Sequence, residues 1–81
     1  MVKSIYSKNY QHLVQRLKRV RLERGLTQVE VSRILHRPQA YISKIESGAQ
    51  RLDIVELEVF ARLYKKPIYY FWPALDKNNG A

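Results

Sequence analysis

The stretch that decides the fold is Gly25-Leu26-Thr27-Gln28-Val29-Glu30-Val31-Ser32-Arg33-Ile34-Leu35-His36-Arg37-Pro38-Gln39-Ala40-Tyr41-Ile42-Ser43-Lys44-Ile45-Glu46-Ser47-Gly48. It reads as two short helices joined by a tight turn. Thr27 with Glu30 three residues on is a capping box, which starts the first helix at about Thr27 and carries it to Leu35. Val31, Ile34 and Leu35 are expected inward, with Val29 partly so, while Glu30 and Arg33 stay wet. His36-Arg37-Pro38 is the turn. His36 is a non-glycine type that tolerates the left-handed region. Pro38 pushes Arg37 into extended geometry and pre-sets the start of the next helix. That second helix spans about Gln39 to Ser47, with Gly48 as its stop. Ile42 and Ile45 face a core, and Gln39, Ala40, Ser43 and Lys44 are left outside.

Working outward, the segment from Ser7, a possible N-cap, to Arg24 contains no Gly or Pro. Tyr10, Leu13, Val14, Leu17, Val20 and Arg21 repeat at the three and four spacing of one helical face. Gly25 suits the left-handed position after that helix. On the other side, Asp53 and Glu56 form a second capping box, opening a helix to Tyr64. Ile54, Leu57, Phe60, Ala61 and Tyr64 make its apolar face, and Val55, Val59 and Leu63 a second apolar flank. Lys65-Lys66-Pro67 breaks the chain again, and Pro67 fits the first turn of a fifth helix carrying Ile68, Tyr69, Tyr70, Phe71, Trp72 and Leu75. Residues 1–6 read as a short arm and residues 76–81 as a polar tail. No period-two alternation appears, so the expectation is all-α: one domain over residues 1–81, with a five-helix core from 7 to 75.

Bulk properties narrow the chemistry. With 81 residues there is room for one small core, and a second copy would add stability. The chain has no cysteine, which rules out disulfides and thiolate metal sites and points to a reducing, cytoplasmic setting. Its two histidines lack carboxylates at ligand spacing, so no metal or other cofactor is expected. No apolar run is long enough for a bilayer span, and no apolar signal-peptide core opens the chain. No nucleophile–base set, phosphate loop or paired carboxylates in a Gly-rich context is present, so an enzyme is not expected.

Net charge is +8, and it is unevenly placed. Residues 1–24 hold seven Lys/Arg against one acidic residue, residues 25–52 four against two, and residues 53–81 four against four. Two readings follow from charge alone, a polyanion partner or a solvated helix face. Arg21 belongs to this basic set on either reading. The outer face of the second short helix adds to the first reading. Gln39 can pair with adenine through N6 and N7, Lys44 can donate to guanine or a phosphate, and Ala40 and Ser43 are small enough for close approach to a base edge. Gln28 stands at a helix start, where an anion is favoured. Arg37, Tyr41, Ser47, Gln50 and Arg51 flank the surface as candidate phosphate contacts.

Gly25-Leu26-Thr27-Gln28, Tyr41-Ile42-Ser43-Lys44-Ile45-Glu46-Ser47-Gly48 and Arg51-Leu52-Asp53 together resemble the helix-turn-helix family of phage repressors and Cro proteins (XRE-like), over roughly residues 13–71. The resemblance implies a compact five-helix bundle of the lambda-repressor-like kind, binding palindromic double-stranded DNA as a homodimer and acting as a transcriptional repressor or autoregulator. It implies Gln28 as a phosphate contact and Gln39, Ala40, Ser43 and Lys44 as base-facing positions. It also implies that Arg21 leaves the DNA-facing set to pair with Glu46. Restriction–modification controller proteins and antitoxins share the domain, so a toxin or RNA polymerase is an alternative protein partner. Two departures stand out: His36 where Gly or Asn is usual, and Pro38 where Ser or Thr often caps. In the aromatic end, Tyr64, Ile68 and Phe71 are assigned to the core, and Tyr69, Tyr70 and Trp72 to a dimer interface.

Overall fold

The computed structural model describes residues 8–72. The expected N-terminal arm, the Ser7 cap, Leu75 and the polar tail lie outside the described residues. The chain forms α1 (Lys8–Glu23), α2 (Gln28–Leu35), α3 (Gln39–Ser47), α4 (Ile54–Tyr64) and a final 3-10 turn (Ile68–Phe71). Among the described residues there is no strand.

Four of the five expected helices are α-helical, and the fifth is a correction. It is a single tight turn, closed by Tyr70 N–H donating to the Pro67 carbonyl at 3.0 Å and Trp72 N–H to that of Tyr69 at 3.1 Å. Both are three-residue bonds. Pro73 follows at once, and the residue before a proline is driven away from helical geometry. Trp72 is accordingly extended, at φ −107° and ψ 92°.

Helix boundaries follow local chemistry. Thr27 Oγ1 accepts from Glu30 N–H at 3.0 Å while Glu30 Oε1 accepts from Thr27 N–H at 2.8 Å. Asp53 and Glu56 repeat the arrangement at α4, at 2.8 and 3.1 Å. Gly25 and Gly48 take φ of 73° and 80°, the left-handed geometry that closes α1 and α3. His36 and Lys65 do the same for α2 and α4 with side chains in place, at φ 56° and 60°. Left-handed geometry costs an L-residue roughly 1–2 kcal/mol, so both positions carry strain that a glycine would not.

The core is one cluster: Tyr10, Leu13, Val14, Leu17 and Val20 of α1, Val31 of α2, Ile42 and Ile45 of α3, Leu57, Phe60, Ala61 and Tyr64 of α4, and Phe71. Leu35 packs against it half-buried, and three other residues expected inward lie at the surface. Ile34 is 50% exposed, Ile54 is 65% exposed, and Ile68 lies at the surface. For α2 the reason is visible. Its inner arc runs through Gln28, Val31, Ser32 and Leu35, which places Ile34 on the far shoulder of Val31. Ser32 can sit on that arc because its hydroxyl donates to the Val29 carbonyl at 2.7 Å.

One buried charge pair crosses this core. Arg21 Nε donates to Glu46 Oε2 at 2.7 Å and Nη2 to Oε1 at 3.0 Å, with the two side chains 7% and 4% exposed. Nη1 donates to the Leu26 carbonyl at 2.8 Å. Hydrogen bonding to Glu46 pushes the Arg21 guanidinium above its already high ordinary range, against the opposing effect of burial. Removing one member leaves the other charge buried and uncompensated, at a cost of about 3–5 kcal/mol. Glu46→Ala is therefore expected to lower the thermal midpoint in a calorimetric or circular dichroism melt by more than roughly 10 °C. An unchanged midpoint would contradict the structural role of the pair.

Candidate nucleic-acid interface

The helix pair α2–α3 carries the candidate surface. Gln39, Ala40, Ser43 and Lys44 are all exposed, while Ile42 and Ile45 between them are fully buried. The sequence pattern splits α3 into an apolar face that docks and a small, polar face that does not. Pro38 precedes it in extended geometry without a side-chain cap. The first-turn N–H groups of α3 therefore lack the capping contact that α2 and α4 receive.

Gln28 sits half-buried at the start of α2 and is tied on both sides. Its Nε2 donates to Glu46 Oε1 at 3.1 Å, and its Oε1 accepts from Gln39 Nε2 at 3.3 Å. The buried ion pair, the first residue of α2 and the first residue of α3 thus form one hydrogen-bonded chain. Residues 18 and 11 apart in sequence make these links, and no local signal announces them.

The flanking positions divide. Arg37, Ser47 and Arg51 are exposed, whereas Tyr41 and Gln50 are half-buried. Ser47 Oγ donates to the Lys44 carbonyl at 3.1 Å and accepts from Ala49 N–H at 3.3 Å, so its hydroxyl serves the end of α3. Gln50 offers its carbonyl to Tyr10 Oη at 2.9 Å, pinning the loop after α3 to the start of α1. Gly48 is closely approached as well: a Cβ there would meet the Gln11 side chain at 3.0 Å. Tyr41 packs its ring on Phe60, centroids 6.4 Å apart, and carries the Arg37 guanidinium over it at 4.9 Å.

Not all the positive charge is free to meet a partner. Arg16 Nη1 donates to the Tyr70 carbonyl at 2.6 Å, and Arg24 Nε to that of Tyr64 at 2.8 Å. With Arg21 paired to Glu46, three arginines of the N-terminal region hold the fold together. Lys8, Lys18 and Arg19 of α1 are exposed. Sequence reading missed these carbonyl-capping roles, because an arginine's partner some 40 or 54 positions away leaves no local trace. Among the described residues no cluster of His, Cys, Asp or Glu could hold a metal ion. Nor is any helix among them long and apolar enough to cross a membrane.

Tyr41 offers a check on this packing. Burial, then the hydrogen bond and charge of Glu56, push its phenol from 10.0 up to about 12, and burial raises the Tyr64 phenol in the same direction. Above pH 10 the unfolded chain releases a proton that the folded chain keeps, so stability falls as pH rises from about 10 through about 12. Tyr41→Phe is expected to flatten the alkaline limb of the stability profile over that window. An identical slope in parent and variant, measured by denaturant melts, would place the phenol in water instead.

A family model described as a helix-turn-helix domain matches residues 12–67, more than half of the chain. No curated protein matches it. The match spans α2, the His36-Arg37-Pro38 turn and α3 in full, together with α4 and most of α1.

Proposed function

The chain belongs to the helix-turn-helix domain family, and on that premise we propose that it is a sequence-specific DNA-binding transcriptional regulator of the phage repressor/Cro type. It acts as a homodimeric repressor or autoregulator on a palindromic operator, without enzymatic activity. The observation that carries this reading is the exposed, small and polar face of α3, Gln39-Ala40-Ser43-Lys44, backed by two buried isoleucines. A helix so divided can lie in a major groove while its other face stays anchored. In this reading Gln39 and Lys44 meet base edges, and Ala40 and Ser43 permit close approach. Gln28, Arg37 and Arg51 meet phosphates, joined by the exposed lysines of α1. Tyr41 and Ser47 then act mainly by shaping the surface, since ring packing and the end of α3 already engage them, whereas Gln50 lends only its main-chain carbonyl to Tyr10 and keeps its side-chain amide for a phosphate.

The dimer surface is proposed at the far end of the chain. Ile54, Leu57, Ile68, Tyr69 and Trp72 line one groove, and Ile54 and Tyr69 are more than half exposed. Residues 53–81 carry no net charge, whereas residues 1–52 carry all of the +8. Two copies can meet at the neutral end without bringing their basic surfaces together. Tyr70 is better read as part of the monomer: it is half-buried, edge-on to Phe71 at 5.1 Å, with Arg16 and Lys66 over its ring at 5.5 and 4.6 Å.

Selection of bound sequences from random DNA is expected to return a two-fold symmetric site. On that site Gln39→Ala is expected to lose about 1–3 kcal/mol at one base position of each half-site, while a phosphate-contact variant such as Arg51→Ala weakens all sequences alike and lowers the salt slope. Gln39→Ala binding that is unchanged on every sequence would leave charge alone as the basis of affinity. For the dimer, sedimentation should show the parent associating and Trp72→Ala shifted toward monomer. Two monomers at high micromolar concentration would remove this surface from the interface.

A further inference from the structure

A cavity of about 160 Å³ opens between the α2–α3 turn and α4, lined by Leu35, Arg37, Tyr41, Glu56, Val59 and Phe60. The backbone that brings Arg37 to it is set by left-handed His36 on one side and extended Pro38 on the other. The Tyr41 ring holds the guanidinium at 4.9 Å through its face, a contact that leaves the N–H groups unused. Glu56 supplies the opposite charge. Its Oε1 accepts from Asp53 N–H at 3.1 Å, and a carboxylate has further lone pairs to offer. Arg21 pairs with Glu46 and Arg62 with Glu58, yet among the described residues no ion pair joins Arg37 to Glu56.

Two opposite charges that share a cavity without meeting suit a ligand that carries both signs. A carboxylate matches the planar guanidinium fork, and an ammonium donates to the Glu56 oxygens. An aliphatic side chain covers Leu35, Val59 and Phe60. Pockets for drug-sized ligands run to about 300–1,000 Å³, so this smaller one selects a ligand of few atoms. We propose that the cavity is an effector site for a small aliphatic α-amino acid, which on binding draws Arg37 away from the DNA backbone and loosens the operator complex. Its effect on DNA rests on the reading of Arg37 as a phosphate contact, whereas the site itself rests on the cavity. Arg51 and Asp53 line a second cavity of about 250 Å³, but Ile54, Leu57 and Trp72 there also line the proposed dimer groove, where a second copy would cover them.

The probe is L-leucine, titrated into the isotope-labelled full chain and followed by backbone amide shifts. Arg37 is exposed and Glu56 half-buried, so both heads keep some solvent and the expected affinity is millimolar. Saturable shifts are expected at residues 35–41 and 56–60. 3-Methylbutylamine lacks the carboxylate, 4-methylpentanoate lacks the ammonium and glycine lacks the side chain. Each is expected to bind about fivefold or more weakly than leucine. Glu56→Gln keeps a residue that can complete the capping box, and is expected to bring leucine down to the level of 4-methylpentanoate. On the selected operator, saturating leucine is expected to weaken binding and to make the salt slope shallower by about 1 per protomer, as Arg37→Gln does without leucine. No saturable shift up to roughly 20 mM leucine, or equal binding of all four compounds, overturns the site. Leucine binding that leaves operator affinity unchanged, where Arg37→Gln lowers it, overturns the effector role. Operator affinity unchanged in Arg37→Gln removes the phosphate reading of Arg37, and the effector role with it, while the leucine shifts still decide the site.

Discussion

The ion pair between Arg21 and Glu46 is the constraint on which the rest depends. It joins α1 to the end of α3, and through the Leu26 carbonyl it also holds the turn leading into α2. Two charges this deep are stable only with their hydrogen-bonding capacity met. Here four hydrogen bonds contribute to it: the pair's own two, the one to the Leu26 carbonyl and the one from Gln28. Because the geometry is bidentate, it fixes the rotation of α3 about its axis as well as its distance from α1. Ile42 and Ile45 can then point inward only if Gln39, Ala40, Ser43 and Lys44 point out. The polar face of α3 is thus a consequence of how its C-terminal half is anchored.

The same logic revises the meaning of the basic N-terminal region. Its charge suggests a surface for polyanions, yet Arg16, Arg21 and Arg24 reach inward or across. Arg24 and Arg16 supply donors to carbonyls at the end of α4 and in the final 3-10 turn, groups with no partner in a regular helix ladder. A guanidinium on a long stem can do this while its methylenes cover apolar surface. Formal charge therefore overstates the basic surface by Arg21, whose charge Glu46 neutralises, while Lys8, Lys18, Arg19 and Arg24 stay exposed.

How far the sequence discloses this fold depends on the range of each interaction. Capping boxes, left-handed C-terminal residues and the proline at the start of α3 act within four positions, and each appears where the residues place it. Even His36, a departure from the usual glycine, takes the left-handed geometry that the turn requires. Ile34, Ile54 and Ile68 fail for a complementary reason. Periodicity says that a helix has an apolar side, but neighbours decide which arc of it is covered, and Ser32 takes the place that Ile34 seemed to hold. The final helix shrinks to one turn because Pro67 and Pro73 leave too few residues between them. The exposed face of α3 was legible in its small and polar residues. The chain from Glu46 through Gln28 to Gln39 was not, since it exists only once α2 and α3 are packed together.

The three capped or uncapped helix starts show how the chain separates stability from recognition. Asp53 and Thr27 close α4 and α2 with side-chain bonds, worth about 1 kcal/mol each and independent of any partner. At α3 Pro38 fixes the backbone direction but offers no acceptor, so the N-terminal N–H groups keep their partial positive charge. A capping serine there would satisfy those groups in the free protein and reduce what they can give to a phosphate. Proline achieves pre-organisation without that competition. The missing stabilisation is supplied from the opposite end of the same helix, where Glu46 and the left-handed Gly48 hold α3 in place. A helix anchored by its C-terminal half, with no side-chain cap on its first turn, keeps an N-terminus that favours an anion.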